Sequence, residues 1–500
     1  MAKFVQLTPA TLKELRKADK RLVSYNVEMT EVTGGTFWSA YTDAQIDGEE
    51  EFPVITDWQN LSNLQEWYPP IDLYNPRLRK LAKELGTAWV RVSGTWANKT
   101  YYDFDGHTGG KVPEGFQNLL TKEQWIGVLD FVKYIDGKLL VSVANCPGIH
   151  TRDIPWDQVA DQAKLLFDFS RDYGVPIAAA EFTNEPNMAA PSGLPVGYTK
   201  EDFARDHDLF GKWLRKNYPG TLFVGPCSVD GDPEGKNVSA LDAGIAVGFE
   251  CMRTVEMFSE NFEPIDAYSY HYYNGVSERG AGMGGHWPAA AALSEDYMQV
   301  AATALKVNLP VRDRFCPGGP IWVTESGDAG CGGNTWGSTY MDVPRTLNEL
   351  GEFCTITEGV IFHNTLASSD YGWLKHGTFD PRPNYFAVLL WQRLMGETVY
   401  DAGPISEGAR VFAHSRKDGK EGVVYLVINN SLTETTIVEL PKEAERYTLS
   451  GNGKIRSRVM LLNGEQLVLG ENDELPSLTP VVQPAGKVEL APGTCTFFVL

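Results

Sequence analysis

The sequence predicts an α/β fold, a (β/α)8 TIM barrel followed by a C-terminal β-sandwich. Three observations predict it. Eight near-continuous apolar runs alternate with amphipathic helical stretches up to about residue 396. Short strands divided by Gly, Asn and Pro turns take over after residue 397. Polar residues gather at the ends of the apolar runs. Apolar strands separated by helices read as a parallel sheet buried on both faces, and eight such units close a barrel.

The eight strand candidates are residues 21–29, 88–94, 138–145, 177–184, 221–227, 265–271, 320–326 and 359–365. Helical patterns lie between them at NPRLRKLAKELG, TKEQWIGVLDFVKYI, PWDQVADQAKLLFDFSRDYG and EDFARDHDLFGKWLRKNY, then near 239–260, 291–308 and 339–353. NYFAVLLWQRLMG closes the series. The sandwich strands are VVYLVINN, TETTIVEL, SRVMLLNG, QLVLG and KVELAPGTCTFFVL, and the early KFVQL would add one more. The expected division is an N-terminal segment, 1–20, pairing with the sandwich, a catalytic barrel at 21–396 and a sandwich at 397–500.

Composition narrows the function. A net charge of −21 disfavours nucleic acid and anionic membranes as partners, and long polyanions as substrates. No apolar run is long enough to span a membrane. The N-terminus, MAKFVQLTPATLKELRKADK, lacks the apolar core of a signal peptide, so the chain as written is expected in the cytoplasm, or outside the cell if a leader has been removed. Seven Cys and eight His are scattered without metal-ligand spacing, so neither metal nor cofactor is expected.

The chemistry is sought at the strand ends, because the C-terminal rim of a barrel builds its active site. AAAEFTNEPNM holds two carboxylates. Pro186 cannot continue a ladder, so Glu185 sits where the fourth strand stops. Glu181 lies about 13 Å deeper and reads as a paired interior residue. The seventh strand, PIWVTES, ends in Glu325 and runs into the Gly-rich SGDAGCGGN. Two carboxyl groups on one rim suit glycoside hydrolysis, one as proton donor and the other as nucleophile or as base for water. Tyr272 and Tyr273 end the sixth strand within reach of Glu325, and Asn184 is placed for a sugar 2-hydroxyl.

These segments resemble glycoside hydrolase family 79, the heparanase and β-glucuronidase family of clan A retaining glycosidases. PRLRKLAKELGTAWVRVSGTW, EFTNEPN, YSYHYYNG, IWVTESGDAGCGG and TFDPRPNYFAVLLWQRLMGETVY carry the resemblance, in order and over most of the chain. It implies Glu185 as acid/base, Glu325 as nucleophile and net retention. It places Glu28, Thr95 and Asn184 on sugar hydroxyls and Tyr272 on the nucleophile. It assigns the grip on a glucuronate carboxylate to backbone N–H groups at Cys331 and Gly332 and to the Tyr371 hydroxyl. Gly332 and Gly333 permit the unusual φ that lets successive N–H groups cradle an anion. Three features depart from the family: Asp328 adds a negative charge to this loop, Cys331 replaces a glycine, and the SSDYGWLKHG segment around Tyr371 is one residue longer. Lys375 is the alternative partner for the carboxylate.

The function expected is a retaining β-glucuronidase acting on terminal glucuronic acid of glycans or glycosides. Its alternatives are an endo-acting heparanase-like glucuronidase, a β-xylosidase or arabinofuranosidase of the same clan, and an inactive glycan-binding homologue. An endo enzyme needs basic clusters for sulfated chains, and RLRK (77–80) is the one cluster found. A dead homologue would lack one of the glutamates, and both are present. Trp38, Trp58, Trp67 and Tyr68 in the long first loop read equally as sugar-stacking aromatics or as loop core.

Overall fold

The computed structural model describes residues 3–229, 251–260 and 262–500. Eight parallel strands close a barrel in chain order: Val23–Asn26, Trp89–Val92, Lys138–Ser142, Ala179–Glu181, Leu222–Val229, Ala267–Tyr273, Ile321–Gly327 and Gly359–His363. This is the fold class that the alternating pattern predicts. Helices Pro76–Glu84, Lys122–Tyr134, Asp161–Asp172, Lys200–Asn217, Val300–Phe315, Val343–Ile356 and Pro383–Leu394 flank it. Their starts follow from local chemistry. Asn75 accepts from two N–H groups ahead of Pro76, and Thr121 and Thr199 form capping boxes with Gln124 and Asp202. Each cap contributes about 1 kcal/mol. The helical pattern near 239–260 falls mostly on residues outside the described ones, and the described part holds one 3-10 turn, Thr254–Glu256.

The barrel interior is layered. Trp89, Leu140, Ala179, Val224, Ala267, Trp322, Val360 and Phe362 fill the end where the strands begin. Two residues further along, the same inward faces turn polar, with Arg91 above Trp89 and Glu181 above Ala179, both buried. On the seventh strand, strict alternation from Trp322 would turn Glu325 outward. The ladder slips by one residue between Val323 and Glu325, opposite Tyr270 and His271. An extra residue of this kind swaps faces, and it brings Glu325 inside.

Beyond the barrel, one sheet runs through Glu14–Lys17, Met395–Tyr400, Arg410–Arg416, Val423–Ile428, Cys495–Val499 and Ala444–Gly451. A three-stranded sheet of Lys3–Gln6, Thr436–Leu440 and Gly486–Leu490 covers it. Leu7, Tyr425, Val427, Val438, Leu440 and Phe498 pack between the two. The N-terminal segment thus adds a strand to each sheet of the sandwich. The long first loop folds back as an antiparallel hairpin, Gly35–Trp38 with Gln65–Tyr68. Among the described residues, no helix is long and apolar enough to cross a membrane.

Candidate active site

A cleft of about 360 Å³ opens at the C-terminal rim. Glu28, Phe37, Trp38, Thr95, Asn184, Glu185, Tyr273, Glu325, Cys331, Asn364 and Tyr371 are among its lining residues. Oxygens of Glu185 and Glu325 lie within 4.8 Å of one another there.

The two carboxyl groups have different surroundings. Glu185 takes a left-handed backbone conformation, φ 44° and ψ 53°. Such a conformation costs about 1–2 kcal/mol for a residue with a Cβ. Its N–H donates to the Cys227 carbonyl at 3.1 Å and its carbonyl accepts from Ser192 Oγ at 2.8 Å, which holds the turn. Among the described residues its side chain meets one donor, His271 Nδ1, at 2.9 Å. Burial pushes its carboxyl up to about 7, against the opposing pull of Arg91. Glu325 is ringed by donors instead. The Tyr273 hydroxyl donates a short bond to Oε1, Asn364 Nδ2 approaches Oε1 at 3.3 Å, and Arg91 reaches Oε2 at 3.3 Å.

Arg91 organises the floor. It is fully buried, with Nε 2.9 Å from Glu181 Oε2 and a terminal nitrogen 2.7 Å from Asn184 Oδ1. Glu181 is therefore bound below the cleft, away from substrate. The same guanidinium faces His271 Nε2 at 3.3 Å. A guanidinium can only donate, so Nε2 accepts and Nδ1 carries the proton towards Glu185. Burial pulls His271 down to about 4, which keeps the ring neutral at ordinary pH. Glu181, Cys227 and His271 stand at metal-ligand spacing, but the Arg91 cation already bonds all three.

Glu28 is buried and opens on the cleft, and Oε2 has no hydrogen-bond partner among the described residues. Burial, then Glu325, holds its carboxyl well above the usual range. Gly94, at φ 90°, makes room for it: a Cβ there would lie 1.5 Å from Glu28 Oε2. With Oδ1 of Asn184 taken by Arg91, the amide's donor end is left for a ligand. Thr95 also lines the cleft.

Tyr272 does not reach Glu325. Side chains alternate along a strand, and Tyr272 points outward with Tyr270 into a gap beside Ala301, Leu305 and Glu349. Tyr273 points inward and takes the place assigned to Tyr272. In the Gly-rich loop, Cys331, Gly332 and Gly333 have successive positive φ of 62°, 97° and 87°. Gly330 and Cys331 face the cleft, whereas Gly332 lies behind Trp38, whose Cβ would stand 2.7 Å from a Cβ at that position. Asp328 turns away and accepts from the Asn334 N–H at 2.8 Å, and burial pushes it up to about 8. Asp328 is thus buried away from the cleft. Tyr371 lines the cleft and packs beside Tyr273, with ring centroids 6.3 Å apart. Lys375 is half exposed, 3.7 Å from Asp43, and is not a lining residue.

Sequence reasoning missed Arg91, His271 and Asn364. Each is a polar residue within or at the end of an otherwise apolar strand candidate (AWVRVSG, IDAYSYH and GVIFHNT). That placement was the available signal.

No family model matches the chain. Heparanase-like protein 1 of Arabidopsis thaliana is 26% identical over 493 residues, covering 86% of this chain and 85% of the relative. A baicalin-β-D-glucuronidase of Scutellaria baicalensis is 30% identical over 185 residues, 35% of each chain. Among solved structures, a 4-O-α-L-rhamnosyl-β-D-glucuronidase of Fusarium oxysporum superposes with a TM-score of 0.66 over 99% of this chain and 100% of the other, at 12% identity.

Proposed function

As the chain belongs to the heparanase and β-glucuronidase family of clan A glycosidases, we propose that it is a retaining β-glucuronidase releasing terminal β-linked glucuronic acid from glycans or glycosides. The observation that carries this reading is the close, unequal carboxyl pair. An oxygen of each lies within 4.8 Å of the other, which favours double displacement, usual at about 5–5.5 Å, over inversion, where the pair stands about 6.5–9.5 Å apart to admit water. Glu185, raised to about 7 by burial, holds a proton for the leaving oxygen. Glu325, surrounded by the Tyr273, Asn364 and Arg91 donors, supplies the anion that attacks the anomeric carbon. After the leaving group departs, Glu185 takes a proton from water, and the hydroxide so formed cleaves the glycosyl ester on Glu325. The Nδ1–H of His271 supports Glu185 while it is ionised between the two steps.

The sugar assignment rests on the wall of Gly330, Cys331 and Tyr371, where N–H groups and a phenol would meet the carboxylate without a cationic side chain. The heparanase relatives keep an endo-acting reading in view. The charge distribution weighs against it, since Arg77 of RLRK is bound to Asp380 and Asp473, each at 2.7 Å. The test is a panel of 4-nitrophenyl β-glucuronide, β-xyloside and α-arabinofuranoside. Turnover confined to the glucuronide supports the proposal, and a preference for either pentoside overturns it.

A further inference from the structure

The cleft wall holds one lysine outside the machinery described above. Lys99 follows the second barrel strand and lines the cleft with Gln117, Met188 and Pro191. Its stem lies over Gly193, where a Cβ would stand 2.4 Å from Lys99 Cδ. Gly193 is left-handed at φ 77°. The absent side chain leaves the groove that seats the stem.

The position is fixed relative to Glu185. Asn98, the preceding residue, donates to the carbonyls of Asn184 at 2.9 Å and Ser192 at 3.1 Å, and accepts from the Asn184 N–H at 2.8 Å. Ser192 in turn donates to the Glu185 carbonyl. Lys99 and the acid/base candidate thus sit on one braced unit. It belongs to strands two and four, across the barrel from the strand-seven and strand-eight wall of Cys331 and Tyr371.

Among the described residues, no carboxylate lies within 4 Å of the Lys99 ammonium. Burial pulls it below the ordinary lysine value, and the neighbouring thiol of Cys146 is itself pushed up by burial. A half-buried cation without a counter-charge among the described residues, in a chain of net charge −21, is a cost that an anion in the cleft would remove.

We propose that Lys99 is a specificity-determining residue that binds an anionic substituent, a carboxylate or a sulfate, on the leaving group next to the scissile bond. The inference rests on the glucuronidase reading and deepens it: the substrate carries a second acid beyond the sugar released. One lysine matches one charge on a neighbouring residue, not an extended polyanion.

The test compares phenyl β-glucuronide with its 4-carboxy and 4-sulfo analogues, in the full chain and in Lys99→Met and Lys99→Arg. Met keeps the stem over Gly193 and removes the charge. The ratio of kcat/KM for acidic over neutral substrate should fall about 10-fold in Lys99→Met, the scale of one charge-assisted hydrogen bond. Lys99→Arg should restore most of it, and salt should shrink it in the parent protein. The larger of the carboxy and sulfo effects identifies the anion. If phenyl glucuronide is hydrolysed but the ratio is the same with Lys and with Met, the inference is wrong. If no glucuronide is hydrolysed at all, the glucuronidase reading falls and this inference with it.

Discussion

Glu185 and Glu325 bring carboxyl oxygens within 4.8 Å of one another from the rim ends of the fourth and seventh strands, with His271 Nδ1 2.9 Å from one and 3.5 Å from the other. The donors around the two differ: His271 faces Glu185, whereas Tyr273, Asn364 and Arg91 surround Glu325.

Removing each carboxyl should leave a different trace. Glu325→Ala should lose on the order of 10⁴-fold or more in kcat on every glucuronide, since no nucleophile remains. Azide should then give the α-glucuronosyl azide. Glu185→Ala should lose about 10²–10⁴-fold on alkyl glucuronides and much less on 4-nitrophenyl glucuronide, whose leaving group needs little proton assistance. Azide should give the β-product in this variant. Equal losses on both substrate classes would remove Glu185 from the acid role.

The pH profile follows from the raised carboxyl of Glu185. Its proton is present below about pH 7 and lost above it. Thus kcat/KM on an alkyl glucuronide should fall tenfold per pH unit on the alkaline side. The stability effect has the same sign. A folded-state value above the ordinary one stabilises the fold at low pH, and that contribution disappears as pH rises through about 7. Glu185→Gln should therefore be more stable than the parent above pH 7, as read by thermal unfolding at pH 5 and pH 8.

Tyr273 and Tyr272 are neighbours in sequence with opposite outlooks. Tyr273→Phe removes a donor from Glu325 and should cost about 10–100-fold in kcat, the scale of a hydrogen bond to a charged group. Tyr272→Phe should change kcat less than about threefold, because that side chain lies outside the barrel. The reverse order would restore Tyr272 to the nucleophile.

Gly94→Ala should act through Glu28. The added methyl collides with Oε2, and the φ of 90° is strained for alanine. KM for 4-nitrophenyl glucuronide should rise about three- to tenfold, the scale of one lost hydrogen bond. An unchanged KM would mean that Glu28 does not touch the sugar.

The barrel was legible because its strands are apolar on both faces and its helices are not. AWVRVSG and PIWVTES announce strands by composition alone. Strand direction was harder to read. The one-residue slip before Glu325 and the alternation that turns Tyr272 out depend on neighbouring strands. No local pattern encodes them. The floor was missed for a related reason: Arg91, His271 and Asn364 matter through partners on other strands.

Double displacement at a glucuronic acid anomeric centre sets the configuration of the first product. Its most direct test is proton NMR of 4-nitrophenyl β-glucuronide during the first minutes of hydrolysis. β-Glucuronic acid should be the first product, with the α-anomer growing in later by mutarotation. The α-anomer appearing first would contradict double displacement.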